Sequence, residues 1–267
     1  MKPNWEYVKK VTLWHYEELL KKLEAVLTYP TICQAYNHSM PHAIEYAQHL
    51  FLDRNIAAGE FPADMMAAFG RLQSAGVKDW ADLLNKVSTR EDCEAFLSQK
   101  SLGFEEVINV QNYLLRWAFP FYTTTRELLE HDNPQEMEFY ATLKQNKLMC
   151  SFDLLEQGRS ARERRRLAEQ TGLPYEFITT LVHRADIARL PYVRRKTILP
   201  LCGAGYDTLA KLAAVDLNSE QSITQMEAEL EAYFQRTQGK PWDDFKSVIL
   251  LRGVVNGARA LPKLLID

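Results

Sequence analysis

The sequence predicts an all-α fold of tandem helix-hairpin-helix-like units behind an N-terminal helical cap. Three observations carry this. Apolar residues recur at helical spacing, alternating β-branched runs bounded by turn residues are absent, and one pattern of prolines, glycines and leucines returns along the chain. The apolar and charged fractions, 46% and 25% of 267 residues, are those of a globular protein rather than a disordered one.

The opening stretch, Met1 to Val11, is polar and charged where a signal peptide would be apolar. No apolar run approaches the roughly 18 to 20 residues that cross a bilayer. The chain is therefore expected in the cytoplasm, with no membrane among its partners. Cys33, Cys93, Cys150 and Cys202 are scattered and form no C-x-x-C pair. They read as reduced, packed thiols rather than a zinc or redox motif.

Beyond the cap, residues 1–61, the stretch FPADMMAAFGRLQSAGVKDWADLL from Phe61 aligns without a gap on LPYVRRKTILPLCGAGYDTLAKLA from Leu190. At the constant offset of 129, Pro62, Leu72, Ala75, Gly76, Ala81 and Leu83 meet Pro191, Leu201, Ala204, Gly205, Ala210 and Leu212. A more degenerate copy places Leu143, Leu148, Leu154 and Leu155 71 residues after Leu72, Val77, Leu83 and Leu84. Apolar-proline junctions at Phe61-Pro62, Phe119-Pro120, Leu190-Pro191 and Leu261-Pro262 recur at intervals of 58, 71 and 71. The resulting units are 62–133, 134–190 and 191–267. Each reads as a proline-marked helix, a turn where glycine (Gly76, Gly205) supplies the left-handed backbone, and a second helix ending in leucine.

Helix starts are signalled between the repeats. Asn133-Pro134 with Glu136 combines an N-cap, an N1 proline and an early carboxylate, and Ser160 with Glu163 is a capping box. Ile223, Met226, Leu230, Tyr233 and Phe234 line one face of a helix from about Ser219 to the Gly239-Lys240-Pro241 breaker.

The segment LAEQTGLPYEFITTLVHRADIARLPYV from Leu167, with the Ala-Gly-Tyr-Asp-Thr-Leu turn that follows, resembles a bacterial family of domains of unknown function built on helix-hairpin-helix repeats. The resemblance implies that fold and no assigned activity; helix-hairpin-helix proteins at large include nucleic-acid binders and protein-interaction modules. In the binders an apolar-Pro-Gly-apolar-Gly hairpin lets main-chain amides approach a phosphate. Here Tyr192 and Arg194, and in the first copy Ala63 and Met65, stand at those glycine positions.

Charge is concentrated between Arg159 and Lys196, where ten cations face four anions, while the whole chain carries -3. Arg162, Arg164, Arg165, Arg166, Arg194, Arg195 and Lys196 are the candidate residues for a nucleic-acid or other anionic partner. In the cap, His42, Glu45 and His49 would share one helical face at spacings of three and four, a geometry open to a transition metal. H-E-x-x-H and the carboxylate di-iron pair are absent, as are a G-x-S-x-G elbow and a P-loop. Gly203-Ala204-Gly205 has no preceding strand and reads as the hairpin turn. The expectation is a non-catalytic interaction or scaffolding protein without a cofactor, its partner protein or nucleic acid; the alternative is a metal-dependent enzyme using the N-terminal His/Glu cluster.

Overall fold

The helix starts signalled in the sequence are present. Ser160 Oγ accepts the Glu163 amide at 3.2 Å while the Glu163 carboxylate accepts the Ser160 amide at 2.8 Å. Asn133 Oδ1 accepts the amides of Gln135 and Glu136. These bonds satisfy donors that a first helical turn leaves open. The computed structural model describes residues 3–51, 61–100, 102–191, 193, 195–238 and 248–266, leaving aside the side chains of 49–51, 195, 196, 238 and 248–250. Among the described residues there are sixteen α-helices and no strand, only three isolated bridges. None of the helices is long and apolar enough to cross a membrane.

Contacts divide the chain into two units, Met1–Pro120 and Phe121–Asp267, the break falling just after the Phe119-Pro120 junction. The first contains α1 (Trp5–Thr12), α2 (Tyr16–Leu27), α3 (Pro30–Tyr36), α4 (Met40–Phe51), α5 (Phe61–Ser74), α6 (Trp80–Lys86), α7 (Arg90–Lys100) and α8 (Phe104–Tyr113). Helix α1 packs on α8, α2 on α6 and α4 on α5, so the four N-terminal helices share a core with the helices that follow them in this unit. Tyr16 donates its hydroxyl to the Val87 carbonyl at 2.6 Å. Phe69 meets Trp80 and Tyr113 edge-on at 5.4 and 5.2 Å, the arrangement favoured by aromatic quadrupoles. Helix α8 widens into a π segment, Leu114–Ala118, whose last bond runs from the Phe119 amide to the Leu114 carbonyl at 2.9 Å. Pro120 cannot extend it, and the unit ends there.

The second unit opens with a 3₁₀ turn at Thr125–Leu128 and continues through α9 (Pro134–Gln145), α10 (Ser151–Gln157), α11 (Ala161–Thr171), α12 (Tyr175–Ile187), α13 (Arg195–Gly203), α14 (Leu209–Ala213), α15 (Glu220–Gln238) and α16 (Val248–Ala260). Helix α12 is its centre, packed against α10, α11, α13 and α14. Its Ile178, Leu181, Val182 and Ala185 are fully buried, an apolar stripe at helical spacing that removes a continuous surface from water. Helices α13 and α15 meet at Gly203, where a Cβ would lie 1.9 Å from a Tyr233 ring carbon, so only glycine permits the approach.

Candidate interaction surface

Three helix-to-helix turns share one hydrogen-bond pattern. The Gly76 amide donates to the Gln73 carbonyl and the Val77 amide to that of Leu72, both at 3.0 Å. The corresponding pairs are Lys147 to Lys144 with Leu148 to Leu143, and Gly205 to Cys202 with Tyr206 to Leu201. These double bonds close a helix C-terminus through a residue of positive φ: +86° at Gly76, +58° at Lys147 and +100° at Gly205. In each case an extended N-cap residue follows: Asp79, Cys150 and Thr208. The offsets of 71 and 129 seen in the sequence thus relate backbone bonds one by one. The first two turns are also tied alike to a preceding chain segment, the Met40 amide bonding the Lys78 carbonyl and the Thr125 amide that of Met149, each at 2.9 Å.

The basic island separates into cations that hold the fold and cations that face water. Arg162, Arg165 and Arg166 are exposed on α11. Spacings of three and four place Arg162 with Arg165 and Arg166 on one helical face. The Arg165 guanidinium lies over the Tyr175 ring, 5.6 Å from its centroid. Arg164 departs from the expectation: it is only 3% exposed, and its Nη1 donates to the carbonyls of Gly158 and Arg159. The helix turns position 164 inward beside Leu167 and Ala168, so Arg164 braces the α10–α11 corner instead of facing a partner. Arg194 lies outside the described residues. Arg195 and Lys196 begin α13, and their side chains lie outside the description.

Arg184 and Arg189, counted in the same island, are buried as well. Arg184 on α12 donates through Nη1 to Glu136 Oε2 at 2.8 Å and to the Leu128 carbonyl at 3.0 Å, and through Nη2 to Glu130 Oε1 at 2.8 Å. One side chain therefore joins α12, the start of α9 and the end of the 3₁₀ turn. Arg189 pairs with Asp186, its Nε 2.8 Å from Oδ1, and donates through Nη1 to the Pro262 carbonyl at 3.0 Å. Sequence reasoning missed both networks, although Arg184 follows Leu181 by three residues and so falls on the apolar stripe of α12. A charge on such a stripe signals a buried partner.

In the first unit His42 and Glu45 are exposed on α4, and the side chain of His49 lies outside the described residues. The His42 ring stacks on His38 with centroids 4.2 Å apart. Among the described residues no three His, Cys, Asp or Glu side chains come together to hold a metal.

Residues 134–236 match the family model described as a domain of unknown function (DUF4332). The match lies within the second unit and spans α9 through nearly all of α15. It contains the Lys147 and Gly205 turns, the α11 arginines, and Arg184 and Arg189 with their partners Glu136 and Asp186, whereas Leu128, Glu130 and Pro262 lie outside it. No curated protein and no solved structure is a match to the chain.

Proposed function

We propose that the protein is a non-catalytic interaction or scaffolding protein whose three hairpins are degenerate helix-hairpin-helix units, and that it holds a polyanionic partner, nucleic acid first among them, on the exposed face of α11. The observation that carries this reading is the sorting of the arginines. Arg164, Arg184 and Arg189 are buried on internal acceptors, whereas Arg162, Arg165 and Arg166 stay exposed on one face beside Tyr175. Guanidinium groups match phosphate oxygens in a planar fork, and an adjacent aromatic ring offers a stacking surface. Contacts of this kind hold a backbone without reading its sequence.

The test is binding of duplex and single-stranded DNA and RNA at increasing salt. Affinity should fall steeply as salt rises, because bound cations displace condensed counterions. Replacing Arg162, Arg165 and Arg166 together with Ala should weaken binding to all sequences and flatten the salt dependence. Stability should move by no more than about 0.5 kcal/mol, as for exposed surface positions. Equal binding by wild type and triple variant would overturn the assignment of this face.

A further inference from the structure

The turn between α1 and α2 presents two apolar side chains to water at its tip. Leu13 is 71% exposed and Trp14 38% exposed. Leu13 ends α1 with its amide on the Lys9 carbonyl and adopts φ +72°, a left-handed conformation that a branched side chain takes at an energetic cost. A leucine here thus carries strain and leaves most of its surface in water. Trp14 is held in place: its amide bonds Thr12 Oγ1, and the Lys22 ammonium sits over its ring, 4.0 Å from the centroid.

The surroundings of this tip are cationic. Lys9 and Lys10 fill the last turn of α1, Lys22 lies against Trp14, and Arg116 reaches the Val11 carbonyl through Nη2 at 3.3 Å. All four cations are exposed. Two exposed acids lie in the first turn of the following helix. Glu17 is paired with Arg90 at 2.7 Å, and Glu18 accepts the His15 amide at 3.1 Å and keeps its charge, so the four cations outnumber the one unpaired carboxylate of the pair. An indole and a leucine at a turn, ringed by exposed cations, match the layered chemistry of a membrane surface, where tryptophan favours the interface and cations favour anionic headgroups.

We propose that the Leu13–Trp14 tip docks the first unit onto the surface of an anionic phospholipid bilayer. The leucine enters the outer edge of the acyl layer, the indole lies at the headgroups, and Lys9, Lys10, Lys22 and Arg116 face lipid phosphates and carboxylates. Such docking needs no spanning helix, and none is found among the described residues. It is independent of the α11 face.

The experiment is flotation of the full chain with phosphatidylcholine vesicles carrying roughly 30% phosphatidylserine, and with phosphatidylcholine alone. Wild type should float with the anionic vesicles, float much less with the neutral ones, and be released as salt rises. The double variant Leu13→Asn, Trp14→Ser should lose at least tenfold in partitioning while still unfolding cooperatively, since asparagine tolerates the left-handed backbone. The single variant Leu13→Asn, which leaves the partly covered Trp14 in place, should lose partitioning at a melting temperature close to that of wild type. Lys9→Ala with Lys10→Ala should lose about fivefold for each charge. The Arg162, Arg165, Arg166→Ala protein should float like wild type, which separates this proposal from the α11 reading. Absence of wild-type flotation on the anionic vesicles, or undiminished flotation of the tip variant, would overturn it. So would tip variants that abolish a self-association seen by sedimentation while wild type ignores the vesicles; a second copy would then be the partner of the tip.

Discussion

Arg184 Nη1 and Glu136 Oε2 meet 2.8 Å apart inside the second unit, on side chains 5% and 11% exposed. The same guanidinium holds Glu130 and the Leu128 carbonyl, so α12, α9 and the 3₁₀ turn depend on one charge. Removing one partner leaves the other charged, desolvated and unmatched. Arg184→Ala should therefore cost about 3–5 kcal/mol, and Glu136→Ala a comparable amount, in the unfolding free energy of the second unit. Arg184→Met, which restores the volume without the charge, should not rescue the single variant while the carboxylates remain. Urea unfolding checks this; a loss below about 1 kcal/mol for Arg184→Ala would mean that water already screens the pair.

The equivalent turns at Gly76, Lys147 and Gly205 predict substitutions of opposite sign. A Cβ at Gly76 or Gly205 would meet no heavy atom within 4 Å, so Ala is penalised there by the backbone alone. Gly76→Ala and Gly205→Ala should each destabilise by about 1 kcal/mol, while Lys147→Gly should stabilise by up to about the same amount. Melting temperatures of the three variants test this directly. A destabilising Lys147→Gly would show that the lysine side chain makes up for its backbone.

These turns also show what was legible in the sequence. Leu143, Leu148, Leu154 and Leu155, all fully buried, mark the turn between α9 and α10 without any glycine, because apolar spacing records which positions face the core. The buried arginines were illegible for the converse reason. Summing charges from Arg159 to Lys196 treats every guanidinium as solvated, and a count cannot register that Arg164, Arg184 and Arg189 bond carbonyls and carboxylates contributed from other segments. The acceptors of Arg184 lie 48 to 56 residues away, beyond any local pattern. The Leu13–Trp14 tip escaped notice because neither positive φ at a leucine nor exposure of a tryptophan has a sequence signature; both depend on how α1 and α2 settle on α6 and α8.

Cys93 and Cys150, both fully buried, should be inert in the folded protein, and the half-buried Cys33 and Cys202 slow to react. Burial raises the thiol pKa of Cys33 and Cys93, and pushes that of Cys202 up to about 12 against the opposing influence of Arg184. Cys150 is fully buried at the start of α10. Since the thiolate is the reactive form, a disulfide reagent at neutral pH should react slowly with native protein and then reach all four cysteines on denaturation. Labelling of all four cysteines within seconds under native conditions would contradict the complete burial of Cys93 and Cys150.

His38 gives the first unit a stability that depends on pH. The residue is 5% exposed, and its ring lies between those of His42 at 4.2 Å and Tyr46 at 5.0 Å and places Nε2 3.0 Å from the Ala35 carbonyl. A carbonyl only accepts, so Nε2 carries the proton of a neutral imidazole and Nδ1 faces the packed interior. Burial first, and the neighbouring His42 second, lower its pKa from 6.5 to about 4. The unfolded chain therefore takes up this proton before the folded one does. It follows that the contribution of His38 to stability is fully present above pH 6.5 and is lost progressively as pH falls toward 4, by up to roughly 3 kcal/mol. Carboxylates act in the lower part of the same window, so the informative quantity is the difference between wild type and His38→Gln, which cannot titrate there. Wild type should lose stability relative to the variant between pH 7 and 4.5 in urea unfolding, and the His38 ring protons should remain in their neutral positions by NMR at pH 5.5. A ring that titrates near 6.5 in the folded protein would show that water reaches it and would remove the effect.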